Sequence, residues 1–299
     1  MTNSLLPRTG LWTFQLDLQP ANQAREIAAE LESLGYGALW VPEAVGRESF
    51  SNVSMLLAAT KSLILGTGIA SIYARDAMTM AAGWKTITEA FPNRFILGLG
   101  VSHKPMVEGV RGHVYSKPVT AMREYLDGMD RAMYFAASPT TAPVRMLASL
   151  QPNMLRLAAE RTAGSHPYFV PVEHTASARE VLGPDPVLAP EQAVILCTDP
   201  TRAREIARAH MATYLGLPNY TNNLRRFGYT DDDLGNGGSD RLVDAIVAWG
   251  SVDDILSRVS AHHDAGANHV CLQVLPTDGP AGMPMNDWRE LAPALASLG

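Results

Sequence analysis

Apolar residues follow two rhythms along the chain. Eight short apolar runs read as strands: "LWTFQLD" (11–17), "ALWVPE" (38–43), "LILGTGIA" (63–70), "FILGLGVS" (95–102), "VRMLAS" (144–149), "HPYFV" (166–170), "QAVILC" (192–197) and "HVCLQVL" (269–275). Several are apolar on successive residues, not alternate ones, which predicts strands covered on both faces in a parallel sheet. Helical spacing fills the gaps. "ANQAREIAAELESLGYG" places Ile27, Leu31 and Leu34 on one face and stops at Gly35. "DPTRAREIARAHMATYL" offers Asp199 as N-cap and Pro200 in the first turn, and "SVDDILSRVSAHHDAGA" runs from Ser251 to Gly266. This alternation predicts an α/β protein, a single (β/α)8 TIM barrel spanning residues 1–299. Residues 171–190 and 217–250 exceed a minimal unit and are expected as insertions over the C-terminal rim, where barrel active sites lie.

Length and composition agree with one large core: 299 residues, 46% hydrophobic and 18% charged. A net charge of −6 argues against nucleic-acid binding, so an anionic ligand must be met by local donors. The two cysteines, Cys197 and Cys271, lie in apolar runs and read as buried strand thiols, not a disulfide framework. The first residues lack a signal-peptide core. The longest uncharged stretch, 209–224, carries Pro218, Asn219, Asn222 and Asn223 and does not suit a membrane span. A cytoplasmic protein is expected.

"ILGTGIA" (64–70) and "ILGLGVS" (96–102) echo each other at adjacent strand ends. A dinucleotide fingerprint, G-x-G-x-x-G, is incomplete in both, because Ser71 and His103 stand where the third glycine belongs. Each glycine alone is explained by close packing. Two such strand ends side by side also suit a flat ligand lying on the backbone.

Five stretches, "LGYGALWVPEA", "LILGTGIASIYARDA", "FPNRFILGLGVSH", "QPNMLRLAAERTAGSHPYFV" and "SVDDILSRVSAHHDAGANHVCLQVL", resemble the luciferase-like monooxygenase superfamily in their order and spacing. The likeness is to its actinobacterial branch, whose members depend on the deazaflavin coenzyme F420. It implies a barrel binding F420, or alternatively FMN, at its C-terminal face. It also implies a non-proline cis peptide behind the ring, at Gly68–Ile69 by motif position. Gly68 would then lie against the ring, and a side chain there is expected to spoil cofactor binding and spare the fold. Ser71, Val101 and Ser102 flank the two glycine turns and are expected to touch the cofactor. The turn Ser149, Leu150, Pro152 and Asn153 is expected to hold its phosphate, where free N–H groups and the helix dipole favour an anion. Ser149-Leu150 replaces the glycine pair expected there.

Two residues are candidates for catalysis. Glu43 ends the second strand, either as a solvated rim carboxylate or as an acceptor facing the cofactor. Relatives follow this acid with a histidine used in proton transfer, and this chain has Ala44. His103, after the fourth strand, would titrate near neutrality and give or take a proton, or else make only a structural hydrogen bond. Trp12, Phe14 and Tyr73 are candidates for pocket lining or core. His166 reads as structural. His262 and His263 are adjacent on a helix and point apart, so no metal site is expected.

The leading reading is an F420-dependent oxidoreductase moving hydride between the deazaflavin and a small organic substrate. The alternatives are an FMN-dependent monooxygenase and a non-catalytic flavin-binding protein. A barrel glycosidase would need two facing carboxylates, and Asp199 already reads as a helix cap. The resemblance also implies a homodimer, formed through the helices that follow strands two and three.

Overall fold

The computed structural model describes residues 6–298. In chain order, β1 (Thr9–Trp12) leads to α1 (Ala21–Ser33), β2 (Ala38–Val41), α2 (Ser49–Ala59), β3 (Ile64–Thr67), the short β4 (Ala70–Ser71) and α3 (Ala77–Ala90). Next come β5 (Phe95–Gly100), α4 (Pro118–Asp130), β6 (Val144–Leu147), α5 (Pro152–Arg161), β7 (Gly164–Ser165), α6 (Val172–Leu182), β8 (Val187–Leu188) and β9 (Glu191–Leu196). The chain finishes with α7 (Pro200–Leu215), α8 (Pro218–Arg226), α9 (Asp231–Leu234), α10 (Asp240–Ile246), β10 (Val247–Gly250), α11 (Val252–Asp264), β11 (Val270–Val274) and α12 (Met285–Ala296).

All strand pairs are parallel, in the order β10-β9-β11-β1-β2-β3-β5-β6-β7-β8, with β4 beside β5. The ends of that path meet, because β8 and β9 are successive stretches of one extended segment. Val187–Leu188 pairs with β7, and Glu191 onward pairs with β11. Between them Ala189 N donates to Ser165 O, and Pro190 O accepts from Cys271 N. The result is the (β/α)8 barrel expected from the pattern.

Three strands differ from the sequence reading. β1 begins earlier and stops at Trp12, where a 3-10 turn (Gln15–Leu18) takes over. β7 is Gly164–Ser165, ahead of the expected 166–170, where Pro167 has no N–H for the ladder and Phe169 takes a left-handed φ of 58°. β10, inside the stretch read as turns and a helix, is an added strand on the upper half of β9. It pairs along the edge that β7 serves lower down. Residues 171–190 hold α6 and β8. That helix packs between α5 and α11 as an ordinary barrel helix, so this stretch is not an insertion in the structure. Residues 217–250 hold α8, α9, α10 and β10.

The helix-facing side of the sheet buries Leu11, Leu39, Leu65, Leu97, Leu147 and Leu272. The bore is filled by Trp12, Trp40, Ile96, Met146 and Cys271. His166 lies inside it, stacked on Trp40 at 4.3 Å, with Nδ1 on Ala189 O at 2.7 Å. Its role there is packing, as expected. The helix signals act as read: Asp199 caps α7 through Thr201 N and Arg202 N, and Ser251 forms a capping box with Asp254. Both cysteines are free. Among the described residues no helix is long and apolar enough to cross a membrane. None of their His, Cys, Asp or Glu side chains gather in a metal-holding group.

Candidate functional site

Glu43 does not face an open mouth. Its carboxylate accepts from Ser49 N (3.3 Å), Ser49 Oγ (3.1 Å), Ser71 N (2.9 Å) and Arg75 Nη1 (3.1 Å), and pairs with Arg75 Nη2. Only 5% of the side chain is exposed. Arg75 also pairs with Glu48 and lies over the Phe50 ring at 4.7 Å. These carboxylates hold its guanidinium above its ordinary pKa in spite of burial. Glu43 therefore ties the end of β2 to the start of α2 and to the loop after β4. Its lone pairs are spent on protein donors, which corrects its reading as a cofactor acceptor. Ser71 is spent likewise: its N–H goes to Glu43, and its Oγ accepts from Tyr73 N.

The Gly68–Ile69 peptide is cis. The glycines around it face protein atoms. A Cβ on Gly66 would stand 2.7 Å from Trp40 Cδ2, and one on Gly100 2.8 Å from Ile69 Cγ1. On Gly98 it would press on the Thr67 backbone, and on Gly68 on the Trp12 indole and His166. Close packing accounts for all four. The direction in which Gly68 lacks a Cβ is filled by the bore, not left open for a ring.

At the end of β5, Val101 packs on the core and Ser102 takes a left-handed φ of 55°, its carbonyl accepting from Tyr115 OH at 3.5 Å. His103 then meets α8. Its ring lies 5.5 Å from that of Tyr220. Burial holds His103 below its ordinary pKa, so it is neutral at pH 7. From there an arc of rings crosses the mouth: Tyr220 to Tyr168 (6.5 Å), Tyr168 to Trp12 (5.1 Å) and Trp12 to Phe14 (4.5 Å). Tyr73 stands apart, bonded to Ser116.

Leu150, Gln151, Pro152 and Asn153 form the start of α5, which has no side-chain cap. The first N–H groups of such a helix lack intrahelical partners. Arg226 of α8 bonds Gln151 Oε1 at 3.0 Å, and Arg156 bonds Asn153 Oδ1 at 2.8 Å. Leu150 O accepts from His174 Nε2 at 2.9 Å. Ser149 is buried, its Oγ turned to Leu147 O. One turn before Arg226, Asn223 is fully buried, and both its amide atoms lack a partner. A helix start, two guanidinium groups and an unsatisfied amide suit an anion. The arc of rings beside them suits a planar ring system. The residues present thus fit a phosphate-bearing flavin or deazaflavin.

Residues 4–269 match the model of the luciferase-like monooxygenase family. The chain belongs to that family. A Mycobacterium tuberculosis protein provisionally assigned as a coenzyme F420-dependent oxidoreductase is 31% identical over 157 residues, 52% of this chain and 43% of the relative. The chain thus matches less than half of that relative's length. Two solved structures share the fold. The coenzyme F420-dependent tetrahydromethanopterin reductase of Methanopyrus kandleri superposes with a TM-score of 0.75 at 16% identity, over 96% of this chain and 97% of that one. The FMN-bound oxygenating constituent of the Pseudomonas putida 3,6-diketocamphane monooxygenase gives 0.69 at 15%, over 95% of each chain.

Several site residues escaped the sequence reading. Arg75 was legible as part of "ARDA" at a strand end, but its partners come from two other segments. Tyr168 after β7, Tyr214 on α7, and Tyr220 and Arg226 on α8 meet only in the fold.

Proposed function

We propose that the protein is an F420-dependent oxidoreductase acting on a small organic substrate. The supporting observation is the placing of the uncapped α5 start, flanked by Arg226, on the same face as the arc of rings that ends at His103. Leu150 and Asn153 would offer backbone donors to the phosphate at the turn that Pro152 opens, and Arg226 its charge. Tyr168, Trp12 and the Gly68–Ile69 turn would bound the ring. When bound, the deazaflavin supplies hydride chemistry. His103, neutral and at the mouth, would accept or return a proton at an imidazole nitrogen, a role that Ala44 leaves open. Glu43 and Arg75 would position the loop that carries Ser71. Tyr220 on α8 would exclude water. The free cysteines accord with a cytoplasmic setting.

Titrating the purified protein with F420 and with FMN tests the reading. Micromolar F420 affinity without FMN binding is expected. FMN binding without F420 binding overturns it in favour of a monooxygenase.

A further inference from the structure

Asn223 on α8 is fully buried, and neither its Nδ2 nor its Oδ1 has a partner. An unpaired buried amide is destabilising, and one kept in a native fold needs a reason. Its neighbours on the helix fix where it lies. One turn earlier, Tyr220 packs against the rings of His103 (5.5 Å), Phe169 (5.4 Å) and Tyr168 (6.5 Å) at the mouth. One turn later, Phe227 meets the His174 ring at 5.7 Å, and Arg226 Nη1 bonds Gln151 Oε1 ahead of α5. Tyr220, Asn223 and Phe227 are spaced i, i+3 and i+7, which puts them on one helix face. Asn223 therefore faces the barrel between the arc of rings and the α5 start, about 4.5 Å along the helix from Tyr220 and from Arg226. His174, at the α5 end of this face, has an orphan of its own. Its Nε2 lies 2.9 Å from Leu150 O, which can only accept, so Nε2 carries the hydrogen. Burial pushes its pKa down to about 4, so Nδ1 is a lone-pair acceptor at pH 7, and it too lacks a partner. That nitrogen calls for a donor, and the Asn223 amide for a donor and an acceptor. A hydroxyl is both, whereas a phosphate oxygen only accepts.

We propose that Asn223 is a ligand-binding residue for a hydroxylated chain, one that joins a ring at the mouth to a phosphate at the α5 start. The inference rests on the proposed function, and it holds for F420 and FMN alike, since both carry a polyol chain between ring and phosphate. Both amide atoms are sealed from solvent in the free protein, so the chain enters as α8 lifts. The helix is hung for that movement. Gly216 precedes it, and Gly228, with a left-handed φ of 81°, follows it. Lifting costs the packing of Tyr220 and exchanges an unpaired amide for one bonded to the hydroxyls.

Wild type supplies the first test. Its affinity is measured for F420 or FMN, whichever binds, and for an analogue that keeps the ring and phosphate but lacks the chain hydroxyls. The cofactor should bind about tenfold more tightly or better. Asn223→Leu removes the amide with little change of size. The free variant should melt no lower than wild type, because leucine leaves no buried polar atom unpaired. It should bind the cofactor about tenfold more weakly than wild type does, and the analogue equally well. An asparagine with only a structural role gives the reverse, an early melt and equal losses for both ligands. That result overturns the proposal, as do equal wild-type affinities for cofactor and analogue, and in either case the proposed function stands. Binding of FMN in place of F420 overturns the proposed function and leaves this test in force with FMN as the ligand. A protein that binds neither cofactor overturns both.

Discussion

A Cβ on Gly68 would stand 3.0 Å from Trp12 Cδ1 and 3.2 Å from His166 Nε2, and both rings are buried. A valine there overpacks the bore, at a cost of about 1–3 kcal/mol. Gly68→Val should therefore melt well below wild type, as circular dichroism would show. The expectation that a side chain here spares the fold does not hold, because the missing Cβ faces inward. An unchanged melting temperature would refute this account. Glu43 shows the same thing at a single residue: a carboxylate at a strand end reads as a rim acid until Ser49, Ser71 and Arg75 are seen around it.

At the scale of elements, we propose that α5 and α8 together make the anion site. Helix α5 offers free N–H groups, and α8 brings Arg226 to Gln151 Oε1. Arg226 is near the surface, so removing it should leave the fold alone. Charge-assisted bonds to an anion contribute about 1.5–3 kcal/mol each. Arg226→Ala should weaken F420 binding by about tenfold or more, since tenfold corresponds to about 1.4 kcal/mol. Its affinity for a phosphate-free analogue should not change. Equal losses for both ligands would move the phosphate away from α5.

Across the whole molecule, exposed apolar side chains fall into two groups. Leu18, Val45, Val110 and Val114 stand in the connections that follow β1, β2 and β5, and Arg111 Nη2 on Ala44 O ties the last two together. Met78 lies on α3, and Met133 and Phe135 follow α4, in the segment whose Tyr134 OH lies 3.1 Å from Thr86 Oγ1 of α3. Phe135 is 92% exposed. We propose that the second group, with α2 and α3, forms a homodimer face, which would cover that apolar surface. Light scattering should give twice the 32.3 kDa chain mass, and Phe135→Asp should shift the protein toward monomer. A wild-type monomer at micromolar concentration would refute it.

The sequence by itself determined the class of fold and most element positions. Strands buried on both faces must be apolar at successive residues, and helices must carry their apolar face at 3.6-residue spacing, so β2, β5, β6, β9 and β11 were legible. Caps such as Asp199 and Ser251 act within one turn and needed no tertiary information. The tertiary structure decided what depends on distant partners. β7 lies ahead of Pro167, and β10 is added on the edge of β9. Trp12, Trp40 and Ile69 occupy the space that the glycines leave. Glu43 is bound by residues from other segments, and Asn223 becomes an unpaired amide only because α8 folds over the barrel. Hydrogen-bond satisfaction and burial are properties of a neighbourhood, and the chain brings those neighbours together only when it folds.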